Sequence, residues 1–277
     1  MLSAAFALGA SLAWGFGDFL GGLKSRVMPA LWVIAVSQPF GLVALAIAVA
    51  VRGTAPPSGD VWWACLSACL GTLGLFAFYR GMAAGAMSVV VPIASLAAAF
   101  PVIWGLASGD NVTGLQELGF VAAIGGSTLA SIERHEHGTR LAAGVGWAVL
   151  AMVAFGGYYV PMHTAASQDW LWPSFLFRCT SVTLVWSIVL LRRRGFPRGF
   201  RPHLPALIAI GFLDTGGNVL FAAASVHGLL SVVSVLASLY PVVTVMLARI
   251  ALRERVQLAQ DVGIVATLAG VVMISAG

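Results

Sequence analysis

Long apolar runs broken by short polar punctuation organise this chain from end to end. Each run is about 20 residues, the length an α-helix needs to cross a hydrocarbon layer of ~30 Å. None shows the ten-residue alternation of polarity that marks a membrane β-strand. Ten runs are read, at approximately 2–22, 30–51, 61–79, 86–107, 114–132, 141–162, 171–191, 204–226, 229–248 and 256–276. The first has no basic flank before it and outruns the apolar centre of a secretion signal, so it predicts a retained helix.

Composition agrees with the pattern. The chain is 60% hydrophobic and 9% charged, whereas a water-soluble domain carries roughly 25% charged residues. Ten spans consume nearly the whole length, which leaves no extramembrane domain of useful size. Cys65, Cys69 and Cys179 fall inside predicted spans without a metal or redox spacing, and read as small packing residues.

The chain repeats itself. SVVVPIASL at 88–96 returns as SVVSVLASL at 231–239, a separation of 143. Around it Gly74, Phe78, Gly85 and Ser88 fall on Gly217, Phe221, Gly228 and Ser231, and DNVTGLQELG at 110–119 parallels ERVQLAQDVG at 254–263. Ala13, Trp14 and Gly15 match Ala154, Phe155 and Gly156. The expected organisation is a first repeat at 1–132, a polar linker ERHEHGTR at 133–140, and a second repeat at 141–277. Five helices per repeat is an odd number, so the second copy enters the membrane from the opposite side. The fold class expected is an all-α polytopic membrane protein of ten transmembrane helices in two inverted five-helix repeats. The linker holds two histidines and two glutamates but no HExxH spacing, and reads as a solvated connection rather than a metal site.

These features resemble the EamA-type transporters of the drug/metabolite transporter superfamily. The resemblance rests on the AWG of the first span and on a repeat-ending signature of Pro, acid, Gln and Gly. The signature stands here as Pro101, Asp110, Gln116, Gly119 and again as Pro241, Glu254, Gln260, Gly263. It implies a secondary transporter working by alternating access, an exporter of small amphipathic metabolites with amino acids among the candidates, placed in the cell membrane. It also implies a pathway lined by helices 1, 3, 4, 6, 8 and 9. On those helices the candidates are Ser11, Trp14, Tyr79, Arg80, Trp104, Phe155, Tyr158, Tyr159, Asn218 and Tyr240, although aromatic residues in membrane helices commonly serve packing or the interface.

Charges inside the spans narrow the search, because each costs about 2.5–3.5 kcal/mol at a helix centre. Glu117 and Asp261 sit at the start of the last helix of each repeat, where negative charge complements the helix terminus. Asp18 and Asp214 lie deeper and are the candidates for coupling to protons or to substrate. Asp18 can face the pathway, as in the small multidrug-resistance branch that DFLGGLKSR resembles, or pair with Lys24 or Arg26. Arg178 calls for an intramembrane carboxylate, and Asp214 is the nearest in sequence order; the pair can serve structure or line the path. Asp18 maps onto Tyr159 and Asp214 onto Gly71, so the repeat does not duplicate these groups.

Other functions find little material. No GxxxxGK[ST] loop is present for ATP, no basic groove with interleaved aromatics for nucleic acid, and no Ser/His or metal-ligand pair for an enzyme, so no cofactor is expected. A lipid or lipid-carrier flippase on the same fold is the alternative, with Arg80 and RRRGFPRGFR as its head-group material. Orientation sets two rules against each other. A cytoplasmic N-terminus, usual in the family, puts all of the 15 Lys and Arg residues outside except Arg52 and the intramembrane Arg178; the positive-inside rule favours the reverse.

Overall fold

A computed structural model describes residues 2–57, 59, 62–100, 113–135, 138–167, 169–192, 195–197, 199–227, 236–237, 239–254 and 257–276. Ten α-helices follow one another in these residues: α1 Leu2–Ser25, α2 Ala30–Arg52, α3 Trp63–Ala84, α4 Met87–Ser95, α5 Gly114–Ser131, α6 Val145–Ala166, α7 Leu171–Leu191, α8 Leu204–His227, α9 Tyr240–Ala251 and α10 Leu258–Ala276. Among the described residues, six helices are long and apolar enough to cross a membrane; these are α1, α2, α3, α6, α7 and the segment around α8. α9 and α10 carry shorter apolar segments. Pro39, Pro92 and Pro161 stand inside α2, α4 and α6, as membrane helices tolerate when neighbours re-satisfy the freed carbonyls.

Most boundaries match the apolar runs, and the departures have local causes. α3 continues five residues past its expected end at 79, because the small residues Gly81, Ala83 and Ala84 keep it close to its neighbours rather than breaking it. The linker, read as a solvated connection with no secondary structure assigned to it, forms β1, Ile132–His135, and β2, Gly138–Leu141. They pair antiparallel with Glu133 opposite Arg140, which joins the end of α5 to the start of α6 through a hairpin. Gly53 ends α2 with φ of 64°, the left-handed conformation that closes a helix cheaply only at glycine. Cys65 and Cys69 correct another expectation. They are exposed on α3 instead of packed, with Thr180 donating to Cys65 Sγ.

The helices pair reciprocally between the two halves. α1 packs on α8 and α3 on α6; α2 packs on α8 and α7 on α3; α1 meets α9 and α4 meets α6. These pairings recur with the roles exchanged. The side chains repeat the relation. The Trp14 ring lies on Gly217 and against Phe221 and Tyr240, while Phe155 lies on Gly74 and against Phe78. Glycine is required at both seats, since a Cβ on Gly217 or Gly74 would stand 2.5 Å from the ring.

α5 and α10 pack against each other through Gly119, Ala123, Gly126 and Ala130 on one side and Gly263, Thr267 and Gly270 on the other. A Cβ on Gly126, Gly263 or Gly270 would come within 2.5 Å of the opposite backbone. Small residues thus let the two helices approach closely, the usual solution where lipid removes the hydrophobic drive for association.

One face of the bundle is tied shut. Glu254, after α9, accepts hydrogen bonds from the N–H groups of Met87 and Ser88 and from Ser88 Oγ, and pairs with Arg26 at 2.6 Å. Arg26 also donates to the carbonyls of Met82 and Gly85. The acid thereby satisfies the free N–H groups at the start of α4 while bridging to the end of α1. Beneath this tie lies the packed core, including Phe78, Tyr79, Met82, Met87 and Val90.

Candidate functional site

Next to that core, around the middle of the helices' lengths, the helices separate around a cavity with about 690 Å³ of empty space counted out to its mouth. It is lined by Trp14 and Asp18 from α1, Gln38 from α2, Gly71, Thr72 and Leu75 from α3, Phe155, Tyr158 and Tyr159 from α6, Phe177 and Arg178 from α7, Asp214 and Asn218 from α8, and Tyr240 from α9. The lining draws on both halves. It is apolar and aromatic over most of its extent, with its polar groups concentrated on α1, α2, α7 and α8.

The charges are arranged as follows. Arg178 Nη2 donates to Asp214 Oδ2 at 2.8 Å; the arginine is 1% exposed and the aspartate 19%. This is the pair expected from sequence, and because both partners line the cavity, it is part of the wall as well as a tie between α7 and α8. The guanidinium is not exhausted by it. Nε and Nη1 of Arg178 are buried and have no hydrogen-bond partner among the described residues. Asp18 reaches the same cavity from α1, and no cation lies within ion-pairing distance of it among the described residues. The alternative pairing with Arg26 is overturned, since Arg26 is held by Glu254 on the tied face.

Neutral groups complete the polar wall. Trp14 Nε1 donates to Asn218 Oδ1 at 3.1 Å, fixing the indole across the α1–α8 seam. Ser181 donates to Gln38 Oε1 and sits 2.7 Å from Thr72 Oγ1, a chain that joins α2, α7 and α3. The corresponding arrangement in the other half is broken. Gly41, 140 residues before Ser181, offers no hydroxyl, and Thr215, which falls 143 residues after Thr72, keeps a buried Oγ1 without a partner among the described residues. A smaller neighbouring void, lined by Leu45, Tyr158, Met162, Ser174, Phe177, Thr215 and Asn218, also touches Arg178.

Of the residues singled out from sequence, Trp14, Asp18, Phe155, Tyr158, Tyr159, Arg178, Asp214, Asn218 and Tyr240 come together here. Three do not. Ser11 is buried on α1 one turn away from the lining, Tyr79 is wholly buried beside Gly21 below the cavity, and Arg80 is exposed with its guanidinium 5.5 Å from the Trp147 ring. Trp104, Pro101 and Asp110 lie outside the described residues. Glu117 and Asp261 occupy the first turns of α5 and α10 as expected, Asp261 with Arg249 as its partner. Sequence reasoning missed Gln38, Gly71, Thr72, Leu75 and Phe177. Gln38 could have been found, because it is a polar group at mid-span in the repeat position of Arg178; the others are ordinary in membrane helices and carry no such signal.

Residues 142–276 match the model of the EamA-like transporter family, within the DMT superfamily. Over those residues the chain is similar to the EamA-like transporter family. It is a multi-pass membrane protein of transporter type, which implies a small-molecule substrate and a bilayer environment. A solved crystal structure, titled only as that of a protein, has the same fold, with a TM-score of 0.69 at 15% identity over 98% of this chain and 95% of the other. No curated protein matches the chain by sequence.

Proposed function

We propose that this chain is a secondary transporter of the cell membrane that exports small amphipathic metabolites by alternating access, built as ten transmembrane helices in inverted repeats at 1–132 and 141–277 joined by 133–140. The observation that carries the reading is the cavity midway along the helices, where Asp18 and the Arg178–Asp214 pair meet a largely aromatic wall. Ionisable groups are retained at that depth only where they serve a path or a partner. The reciprocal helix pairings support the inverted repeats, and the Glu254–Arg26 tie over a packed core supports one closed gate. An apolar body fits the aromatic wall and a polar head fits the carboxylates and guanidinium, which is the meaning of amphipathic here. Asp18 supplies the carboxylate that coupling to protons would need.

The test is reconstitution in liposomes loaded with a mixture of small metabolites, under an imposed pH gradient, with mass spectrometry of what leaves. The reading expects selective loss of amphipathic solutes, and loss of the gradient dependence in Asp18→Asn. Release no faster than from protein-free liposomes overturns transport; full gradient-driven release by Asp18→Asn overturns coupling through that residue.

A further inference from the structure

The wall of the cavity specifies the charge and the shape of its ligand, given the transporter reading above. Count first the formal charges of the described lining: with Asp18 ionised, Asp18 and Asp214 against Arg178 leave one negative charge, and the ion pair assigns that excess to Asp18. A ligand that carries a protonated amine compensates it, and the rings of Trp14, Tyr159 and Tyr240 are suited to receive an ammonium group on an apolar body. Next comes Arg178. A guanidinium has five N–H donors in a rigid fork, and here Asp214 engages Nη2 while buried Nε and Nη1 stay unmet. Leaving buried donors of a charged group unsatisfied is costly, and Arg178 borders open space in two voids. The missing partner is an acceptor oxygen brought by the ligand.

We infer that the cavity takes cationic ligands in which a protonated amine is held by Asp18 and a neighbouring carbonyl oxygen accepts from one of the free donors of Arg178, at Nε or at Nη1, with amino-acid amides preferred over the free amino acids. The preference follows from charge. A free amino acid brings no net charge and leaves the cavity at minus one, whereas the amide keeps the acceptor oxygen, drops the carboxylate charge and brings the total to zero. An N-acylated compound loses the ammonium, and a simple amine loses the acceptor. Asp214 acts as a positioning residue, since it fixes the guanidinium plane from which the free donors point.

The experiment is binding to the purified full-length protein in nanodiscs, with leucinamide, leucine, isoamylamine and N-acetylleucinamide compared at a pH where the amines are protonated. Leucinamide should bind about tenfold or more tighter than each of the other three, the scale of one charge-assisted hydrogen bond or one uncompensated charge. In Arg178→Lys, which keeps the positive charge for Asp214 and removes the fork, the advantage of leucinamide over isoamylamine should disappear. In Asp18→Asn, its advantage over N-acetylleucinamide should disappear. Tighter binding of leucine than of leucinamide overturns the assignment, as does an unchanged leucinamide advantage in Arg178→Lys, which would mean that water satisfies the free donors. Should none of the four bind, the ligand class is wrong, and the solute-release measurement on the same preparation still decides the transporter reading separately.

Discussion

Removing one member of the Arg178–Asp214 pair should be costlier than removing both, and unequally so for the two partners. Asp214→Ala strands a guanidinium that is 1% exposed and has two further nitrogens without a partner among the described residues. Breaking a buried pair in this way typically costs about 3–5 kcal/mol. Arg178→Met, of similar volume, strands Asp214 instead; that carboxylate is 19% exposed and reaches the cavity, where water can approach it, so the cost should be nearer 1–3 kcal/mol. The double variant leaves no unpaired charge and should be more stable than Asp214→Ala alone. Unfolding in mixed micelles of rising denaturing-detergent fraction, followed by tryptophan fluorescence, gives the four corners of the cycle. A double variant no more stable than Asp214→Ala, or equal costs for the two single variants, would falsify the view that burial of Arg178 governs the energetics of the pair.

Gly126→Leu should destabilise the α5–α10 contact by at least ~1–3 kcal/mol, because its Cβ would meet the Thr267 backbone nitrogen at 2.5 Å; Gly125→Ala, which meets nothing within 4 Å, is the control in thermal melts. Glu254→Ala should free the start of α4 and raise amide hydrogen exchange at Val89 and Val90, with exchange in α2 unchanged as the reference. Asp169, just before α7, sees burial that acts to raise its carboxyl, but hydrogen bonds from Arg52 and from the Leu171 and Trp172 N–H groups outweigh it and hold it below the ordinary carboxylate value. Its contribution to stability is therefore complete above the unfolded value of about 3.9 and is lost as pH falls through the lower native one. Melting temperature against pH should accordingly drop less steeply in that acid range for Asp169→Asn than for the parent chain.

Why some of this could be read from the sequence and some could not has a physical basis. Helix positions follow from the length of apolar runs, which the bilayer dictates, so α2, α7 and α8 fall within a residue or so of expectation. The hairpin of β1 and β2 was missed because a polar octet signals water contact without saying whether its backbone pairs with itself. Intramembrane charges announce themselves by cost, and for that reason Asp18, Arg178 and Asp214 were found and do share one cavity. Tyr79 and Arg80 show the converse. Their distance along α3 from Leu75 is one turn or so, but helix phase turns Tyr79 into the core and Arg80 to the outside, and an apolar helix gives little periodicity from which to read that phase. Thr72 and Ser181 became visible only once α3 and α7 were in contact, since a hydroxyl gains meaning from its partner.

The most direct test is two-sided access to the cavity wall. With Cys65, Cys69 and Cys179 replaced, a single cysteine at Leu75 in oriented proteoliposomes is exposed to a membrane-impermeant thiol reagent from one face of the bilayer and then from the other. Alternating access through this cavity predicts reaction from either face, slowed in each case by a transported solute. Reaction from one face only, unchanged by any solute that the protein releases, would contradict it.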